Sequence, residues 1–186
     1  MLNLIRRKED PWPEHWKPVG EGEREEESFE NWWRKHESEL SNLPPEIASQ
    51  WIYRHWKGSP LSFLDPRKMH WIQETLDTKT ILRDVHLEWG QDAADTPERD
   101  YEIFRPDKPF PLPTGQRWEN GSWLHPLPIL RTLNGIIGHD GEFPKKRFLV
   151  IDGSKRYRWL RALKHHGTKT GPHQVYILTI DPDNSA

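Results

Sequence analysis

The clearest change in hydrophobic pattern along the chain lies in its last third. Residues 148–151 are four apolar side chains in succession, which predicts a strand covered on both faces. Asp152 and Gly153 then predict a sharp turn, because glycine adopts backbone angles that other residues avoid. Residues 154–166 fit a helix, with Gly167 as its C-terminal stop. The pattern therefore predicts a strand, a turn and a helix in direct succession.

The rest of the chain contains further helix and strand patterns. Residues 125–131 and 173–180 are apolar segments that predict one strand before this element and one after it. The upstream pattern predicts a helix at 28–40 capped by Ser28, a helix from Pro44 through Trp56, a third helix after Asp65 with Met69, Ile72 and Leu76 on one face, and a strand at 80–89. Together these elements predict an α+β fold with a small mixed sheet and flanking helices.

Proline, glutamate and tryptophan divide the chain into three segments. Residues 1–27 contain prolines and a glutamate run, which predicts an extended or partly disordered acidic arm. Residues 28–121 form a tryptophan-rich helical extension that ends in a long proline-rich loop, and residues 122–186 form the core of the fold. We expect the second and third segments to make one compact domain.

The start of the helix at Ser154 carries the strongest chemical signal. A helix N-terminus has unpaired N–H groups and a partial positive charge, so it suits a phosphate group. Lys155 and Arg156 add full positive charges at the same end. Positive side chains oppose the helix dipole there, which makes them a poor choice for stability alone. The conflict favours a polyanionic ligand, and we expect Arg156→Ala to abolish binding with little change in stability.

The charge distribution is uneven along the chain. The formal net charge is only −2, which argues against a polyanion binder by bulk charge. Residues 145–169, however, contain nine Lys or Arg and a single acid, whereas residues 1–39 contain seven Lys or Arg and eleven acids. This asymmetry predicts a basic face for the phosphate backbone of DNA. The candidate DNA-binding residues are Lys145, Lys146, Arg147, Arg158, Arg161 and Lys164.

Tryptophan is unusually frequent, with eleven residues in 186. Most of them are expected to build a core in which other large apolar residues are scarce. The alternative is base stacking or docking of a partner, and it applies first to Trp12 and Trp16, which lie among prolines.

The order of elements around the turn resembles the ParB/sulfiredoxin superfamily. In that family a proline-containing strand is followed by an apolar strand, a Gly-x-x-Arg turn, a helix, a glycine and a last strand. The matching positions in this chain are 128–130, 149–153, Arg156, Ala162, Gly167 and 175–177. The resemblance covers roughly residues 122–180, about a third of the chain.

The resemblance implies a role for the residues of the turn. Gly153, Ser154, Lys155 and Arg156 would bind the phosphates of ATP, of another nucleoside triphosphate or of a nucleic acid. Some relatives hydrolyse nucleotides and others are nucleases, which implies a hydrolase with Lys155, Arg156 and Asp152 as candidate catalytic residues. The third position of the turn is often His or Arg in relatives and is Lys here, so the charge is kept but the fork geometry is lost.

Two features of the chain differ from the family pattern and restrict which of the family's functions it can share. The absence of cysteine excludes the sulfiredoxin reaction, which uses a thiol. The chain also ends soon after the matching part, which leaves no room for the helix-turn-helix of ParB partition proteins. A small protein with a tryptophan-rich extension looks like the plasmid-borne fertility-inhibition proteins of the oncogenic-suppression (Osa) type. That resemblance implies a component of a type IV DNA-transfer machinery as a partner.

Two interpretations of Asp152 and two function classes stay open. Asp152 would hold Mg²⁺ or another divalent ion and orient a water molecule, or it would cap the following helix or pair with Lys155. The function is then ATP hydrolysis and DNA cleavage, or non-catalytic binding of DNA or a protein through the same basic turn. The resemblance favours the enzyme narrowly, whereas the lack of a clear general base favours binding.

No apolar run approaches the roughly 20 residues that span a bilayer. The apolar stretch at residues 1–5 is too short for a signal peptide. Together with the absence of cysteine, these features predict a cytoplasmic bacterial protein, with attachment to the inner membrane through a partner as the alternative.

Overall fold

A computed structural model describes residues 1–5, 12–20, 26–89 and 94–180. The fold is mixed α+β, as the sequence predicts. The helices are α1 (Phe29–His36), α2 (Pro45–Ile47), α3 (Thr78–Asp84), α4 (Pro97–Phe104), α5 (Pro113–Gln116) and α6 (Ser154–His165). The strands are β1 (Leu2–Asn3), β2 (Met69–Leu76), β3 (Val85–His86), β4 (Trp118–Glu119), β5 (Ser122–Trp123), β6 (Leu127–Arg131), β7 (Ile136–Gly138), β8 (Gly141–Phe143), β9 (Phe148–Val150) and β10 (His173–Ile180).

The chain divides into two compact units. The first unit comprises 1–5 and 72–177, and the second comprises 6–71 and 178–186. The three segments predicted from the sequence do not coincide with these two units, because residues 28–121 contribute to both units.

The main sheet has five strands in the order β2, β10, β6, β9 and β3. Strand β9 is parallel to β3, with Val85 opposite Phe148, and antiparallel to β6, with Leu130 opposite Leu149. Two smaller sheets join β1, β7 and β8, and β4 with β5. Leu149 and Val150 point to opposite faces of the sheet and are 0% and 4% exposed, so both faces of β9 are covered, which explains its continuously apolar sequence.

The core of the first unit lies between the sheet and α6. Its members are fully or nearly fully buried: Ile81, Val85, Trp123, Leu127, Ile129, Val150, Tyr157, Leu160, Val175 and Ile177. Trp159 belongs to a neighbouring buried cluster with Phe104, Ala162 and Leu163. The prediction that tryptophan serves mainly to build the core holds for Trp123 and Trp159.

The described part of the second unit contains α1 and a helical segment that continues from α2 as a π-helix at Ala48–Tyr53. Its tryptophans bond to distant parts of the chain. Trp12 Nε1 donates to the Leu64 carbonyl at 2.9 Å, and Trp32 Nε1 donates to the Trp16 carbonyl at 2.6 Å. Trp12 and Trp16 are only 3% and 0% exposed, which favours the core role over the alternative of base stacking or docking of a partner.

Two elements differ in type from their prediction. The third helix predicted after Asp65 is only one 3₁₀ turn, Pro66–Lys68, and Met69 begins strand β2. The helical spacing of Met69, Ile72 and Leu76 is therefore not a buried face, and the Ile72 residue is 47% exposed. Pairing at the edge of the sheet decides the conformation there, since backbone hydrogen bonds to a neighbouring strand outweigh a weak local pattern.

The predicted strand at 80–89 is also wrong over its first half. Residues Thr78–Asp84 form α3, because the Asp77 side chain accepts a hydrogen bond from the Thr80 N–H at 2.7 Å and caps the helix. Only Val85–His86 is a strand. The proline-rich loop predicted at the end of the range 28–121 likewise contains regular elements in its described part, including α4 with Thr96 as the N-cap and Pro97 in the first turn.

The predicted arm at 1–27 lies partly outside the described residues. Of its described part, Leu2 and Asn3 form β1, parallel to β7, and Glu14–Trp16 form a 3₁₀ turn. Residues 6–11 and 21–25 of the predicted arm lie outside the described residues, so the prediction of an extended or partly disordered acidic arm stays a prediction.

Candidate phosphate-binding site

The turn after β9 has the geometry that the sequence predicts. Gly153 is the N-cap of α6 and has φ +91° and ψ 31°, a left-handed conformation that favours glycine. A Cβ at this position would lie 2.5 Å from the Arg156 Nε and 2.7 Å from the Leu127 Cδ1. Glycine is therefore required both for the backbone angle and for the close approach of the Arg156 side chain.

The first turn of α6 is open to a ligand. No side chain caps it, so the N–H groups of residues 154–156 lack intrahelical acceptors. Lys155 is exposed, and within the described parts of the chain its ammonium has no ion-pair partner. The partly exposed Ser154 hydroxyl likewise has no hydrogen-bond partner among the described residues. Backbone N–H groups, a hydroxyl and a cation thus coincide at a helix N-terminus, which is chemistry that suits a phosphate.

The Arg156 side chain does not share this phosphate-binding role, because it is hydrogen-bonded within the protein. Its Nη1 donates to the His125 carbonyl at 2.9 Å and to the Pro126 carbonyl at 3.1 Å. Its Nη2 donates to the Asp152 Oδ2 at 3.1 Å, and both side chains in this ion pair are 17% exposed. The guanidinium therefore ties the turn to the segment before β6. The sequence interpretation offered a capping role or pairing with Lys155 for Asp152, whereas in the structure its carboxylate pairs with Arg156.

The basic segment before β9 lies at the opposite end of that strand from Gly153. Lys145 and Arg147 are exposed there. Lys146 is not, because its ammonium donates to the Val85 carbonyl at 2.9 Å and to the Leu82 carbonyl at 3.2 Å. Burial lowers the pKa of Lys146 from its ordinary value. Its charge supports the C-terminal end of α3 rather than facing solvent.

Two other predicted DNA-binding residues belong to a buried ion-pair cluster. Asp100 of α4 is 0% exposed and accepts from both Arg158 and Arg161 of α6. Arg158 also pairs with Asp95 at 2.8 Å. These bonds join α4 to α6 and offset the charge of both arginines. The sixth, Lys164, is exposed and has no ion-pair partner among the described residues.

Sequence reasoning missed a hydrogen-bonded chain around His173. The buried imidazole bonds through Nδ1 to the Ser122 hydroxyl and through Nε2 to the Thr78 hydroxyl, each at 2.8 Å. The Trp123 ring lies against it, with ring centroids 4.6 Å apart. Burial lowers the pKa of His173 to about 4, so this imidazole is neutral at physiological pH and a poor base. The chain of bonds positions β5 and the start of α3 against β10.

A second missed cluster surrounds the buried carboxylate of Glu88. Its Oε2 lies 2.6 Å from the His86 Nε2, and its Oε1 accepts from the His139 backbone N–H at 2.6 Å. The His139 Nδ1 also lies 2.6 Å from Oε1. Burial raises the pKa of Glu88, but these hydrogen bonds outweigh burial and leave the pKa below its ordinary value. The spacing of His86 and Glu88 is the one local signal, since alternate residues of a strand point to the same face.

No protein-family model, curated protein or solved structure matched the chain. Among the described helices, none has both the length and the apolar character that crossing a membrane requires.

Proposed function

We propose that the chain is a phosphate-binding module, and that it binds a nucleotide or a nucleic acid at the turn between β9 and α6. The observation that carries the proposal is the uncapped first turn of α6, where Ser154 and Lys155 have no partner among the described residues. Free donors at a helix N-terminus suit the oxygens of a phosphate group.

The residues of the turn divide into two roles under this proposal. The N–H groups of the first turn, the Ser154 hydroxyl and the Lys155 ammonium contact the phosphate. Arg156 holds the turn in place through its bonds to the carbonyls of 125–126 and to Asp152. Arg156 is thus a positioning residue, which differs from the binding and catalytic role expected from the sequence.

The resemblance to the ParB/sulfiredoxin superfamily supports the same site. The order β6, β9, turn, α6 and β10 is compatible with the order of elements in that family. The family's Gly-x-x-Arg turn corresponds to Gly153 and Arg156, and its phosphate ligands are nucleotides and nucleic acids. ATP and DNA are accordingly the first ligands to test.

Hydrolysis of ATP or cleavage of DNA is the second candidate function. The observation that favours it is the Asp152 carboxylate beside the turn, since Mg²⁺ is often held by one or two carboxylates together with substrate phosphates. The ion pair with Arg156 weighs against it, because the arginine would compete with a metal for the same carboxylate. We therefore rank binding first.

The deciding experiment compares Lys155→Ala with Lys164→Ala, a matched loss of one exposed lysine on the same helix. Fluorescence anisotropy with labelled ATP and labelled single-stranded DNA measures binding. Loss of one phosphate contact is expected to weaken ATP binding by Lys155→Ala, whereas Lys164→Ala binds ATP as the wild type; for DNA, only a larger loss in Lys155→Ala than in Lys164→Ala supports the turn. Equal affinity of all three proteins would exclude the turn as the site.

Release of phosphate from ATP and cleavage of a supercoiled plasmid, both with added Mg²⁺, then test the second candidate. Activity that Asp152→Asn removes while binding is kept would establish the hydrolase. Binding without either activity would leave the non-catalytic module.

A further inference from the structure

The second unit brings two histidines and a glutamate together. His15 lies in the 3₁₀ turn Glu14–Trp16, His36 is the last residue of α1, and Glu39 follows in the next turn. The His15 Nε2 lies 2.8 Å from the Glu39 Oε2. One ligand atom from each of the three residues lies within 4.8 Å of the other two. Segments far apart in sequence therefore place three metal-binding side chains around one point.

His36 carries the strongest indication that the cluster serves a ligand. The residue is only 8% exposed, yet within the described parts of the chain neither of its ring nitrogens has a hydrogen-bond partner. Its ring contacts Trp32 and His15, with centroids 4.9 Å and 5.9 Å away. An imidazole nitrogen without a hydrogen-bond partner in the described protein keeps its lone pair available to a ligand. A metal ion bound to the imidazole lone pair would satisfy it.

We propose that His15, His36 and Glu39 form a binding site for a divalent transition metal ion, with Zn²⁺ as the best fit. Two imidazoles and one carboxylate are a donor set that Zn²⁺ uses when its fourth position is left to water or a substrate. Ligand atoms on a tetrahedral Zn²⁺ lie about 3–3.5 Å apart, because each bond is about 2 Å long. Small side-chain rotations would bring the observed cluster to that spacing.

The surroundings of Glu39 suit a metal ligand. The Trp16 Nε1 donates to its Oε2 at 2.9 Å, and the Arg67 Nη1 donates to its Oε1 at 3.0 Å. Such bonds fix the orientation of a coordinating carboxylate. Arg67 also pairs with Asp65 at 2.8 Å, which offsets its positive charge near the ion.

Isothermal titration calorimetry with Zn²⁺ tests the site in the full chain after treatment with a chelator. We expect one ion per wild-type chain, and no binding of Mg²⁺, which prefers oxygen ligands. His15→Ala and His36→Ala are each expected to weaken binding by more than about 100-fold, since even outer partners of a metal site contribute 10- to 100-fold. Co²⁺ in place of Zn²⁺ should give a visible absorption band that both variants lose.

His125→Ala is the matched control, because it removes an exposed imidazole from the first unit. The His15 side chain is 58% exposed, so His15→Ala should keep its fold even if His36→Ala does not. Circular dichroism checks this. Wild-type affinity in His15→Ala, the same loss in His125→Ala, or no Zn²⁺ binding by the wild type would each overturn the proposal.

Discussion

The hydrogen bonds of Arg156 lead to a prediction about stability. Replacement by alanine removes two bonds to backbone carbonyls and one to Asp152. The same change also uncovers Gly153, over which the guanidinium lies. We therefore expect Arg156→Ala to destabilise the first unit, contrary to the expectation drawn from the sequence.

The magnitude follows from the three bonds. A hydrogen bond that involves a charged group contributes about 1.5–3 kcal/mol when its partners are buried. Here the side chains of the ion pair are 17% exposed and the His125 carbonyl lies at the surface. Water can therefore donate to some of the acceptors that Arg156→Ala leaves free, which reduces the loss of stability. A net loss of about 2–3 kcal/mol in the free energy of unfolding is therefore reasonable.

Urea unfolding measures the change, followed by tryptophan fluorescence and by circular dichroism. The midpoint should fall by roughly 1 M if the free energy changes by about 2 kcal/mol per M of urea. Coincident curves from the two probes would justify a two-state treatment.

Two variants serve as references for this measurement. Arg156→Lys keeps the charge but not the fork of donors, and should lose about half as much stability. Lys155→Ala should stay within about 0.5 kcal/mol of the wild type, because it removes an exposed side chain. A midpoint of Arg156→Ala equal to that of Lys155→Ala would show that the arginine does not hold the turn.

Three further predictions concern the first unit. Gly153→Ala should lose at least 1–2 kcal/mol in a urea titration, because a left-handed backbone disfavours a Cβ and the new atom meets Arg156; stability equal to the wild type would contradict the turn geometry. Stability should fall as pH drops from about 6.5 towards 4, because His173 has a folded pKa of about 4 and the unfolded chain therefore binds more protons over that range. His173→Gln should flatten the pH profile of the thermal midpoint, and an unchanged slope would count against a buried neutral imidazole. A plot of the logarithm of the DNA-binding constant against the logarithm of the salt concentration should have a slope shallower than about −5, because four of the nine basic residues in 145–169 are engaged within the protein. A slope near −8 would show that these four residues also contact DNA.

The elements predicted correctly are those whose local pattern and tertiary environment agree. Strand β10 and the helix that Gly167 ends have strong patterns and clear stops, and both are found. Strand β2 was missed because its side chains are mostly exposed, so pairing rather than burial makes it a strand. The missed helix α3 had a signal in Asp77, whose capping geometry is local. The apolar and β-branched residues Ile81, Val85 and Leu87 favoured a strand instead, although the spacing of Ile81 and Val85 also fits one face of a helix.

For the candidate site, the sequence predicts backbone features better than side-chain partners. The left-handed Gly153 and the exposed Lys155 follow from local rules about turns and helix ends. The carbonyl acceptors of Arg156 lie 30 and 31 positions earlier in the chain, and the acceptors of Arg158 and Arg161 include Asp100, which is 58 and 61 positions away. Such pairs depend on tertiary proximity, so a count of basic residues along the chain overstates the charge that faces solvent.

The indole hydrogen bonds of the second unit hold distant segments of the chain together, as disulfides do in small secreted domains. Each one links segments that are distant in sequence: the bond from Trp12 spans 52 positions, that from Trp56 to the Pro13 carbonyl spans 43, and that from Trp32 spans 16. The chain has no cysteine, so these noncovalent links are independent of redox conditions. Phenylalanine would fill much of the same space at these positions, but it would leave a carbonyl without its donor. The unit is therefore expected to tolerate a reducing environment while tolerating little exchange among its aromatic residues.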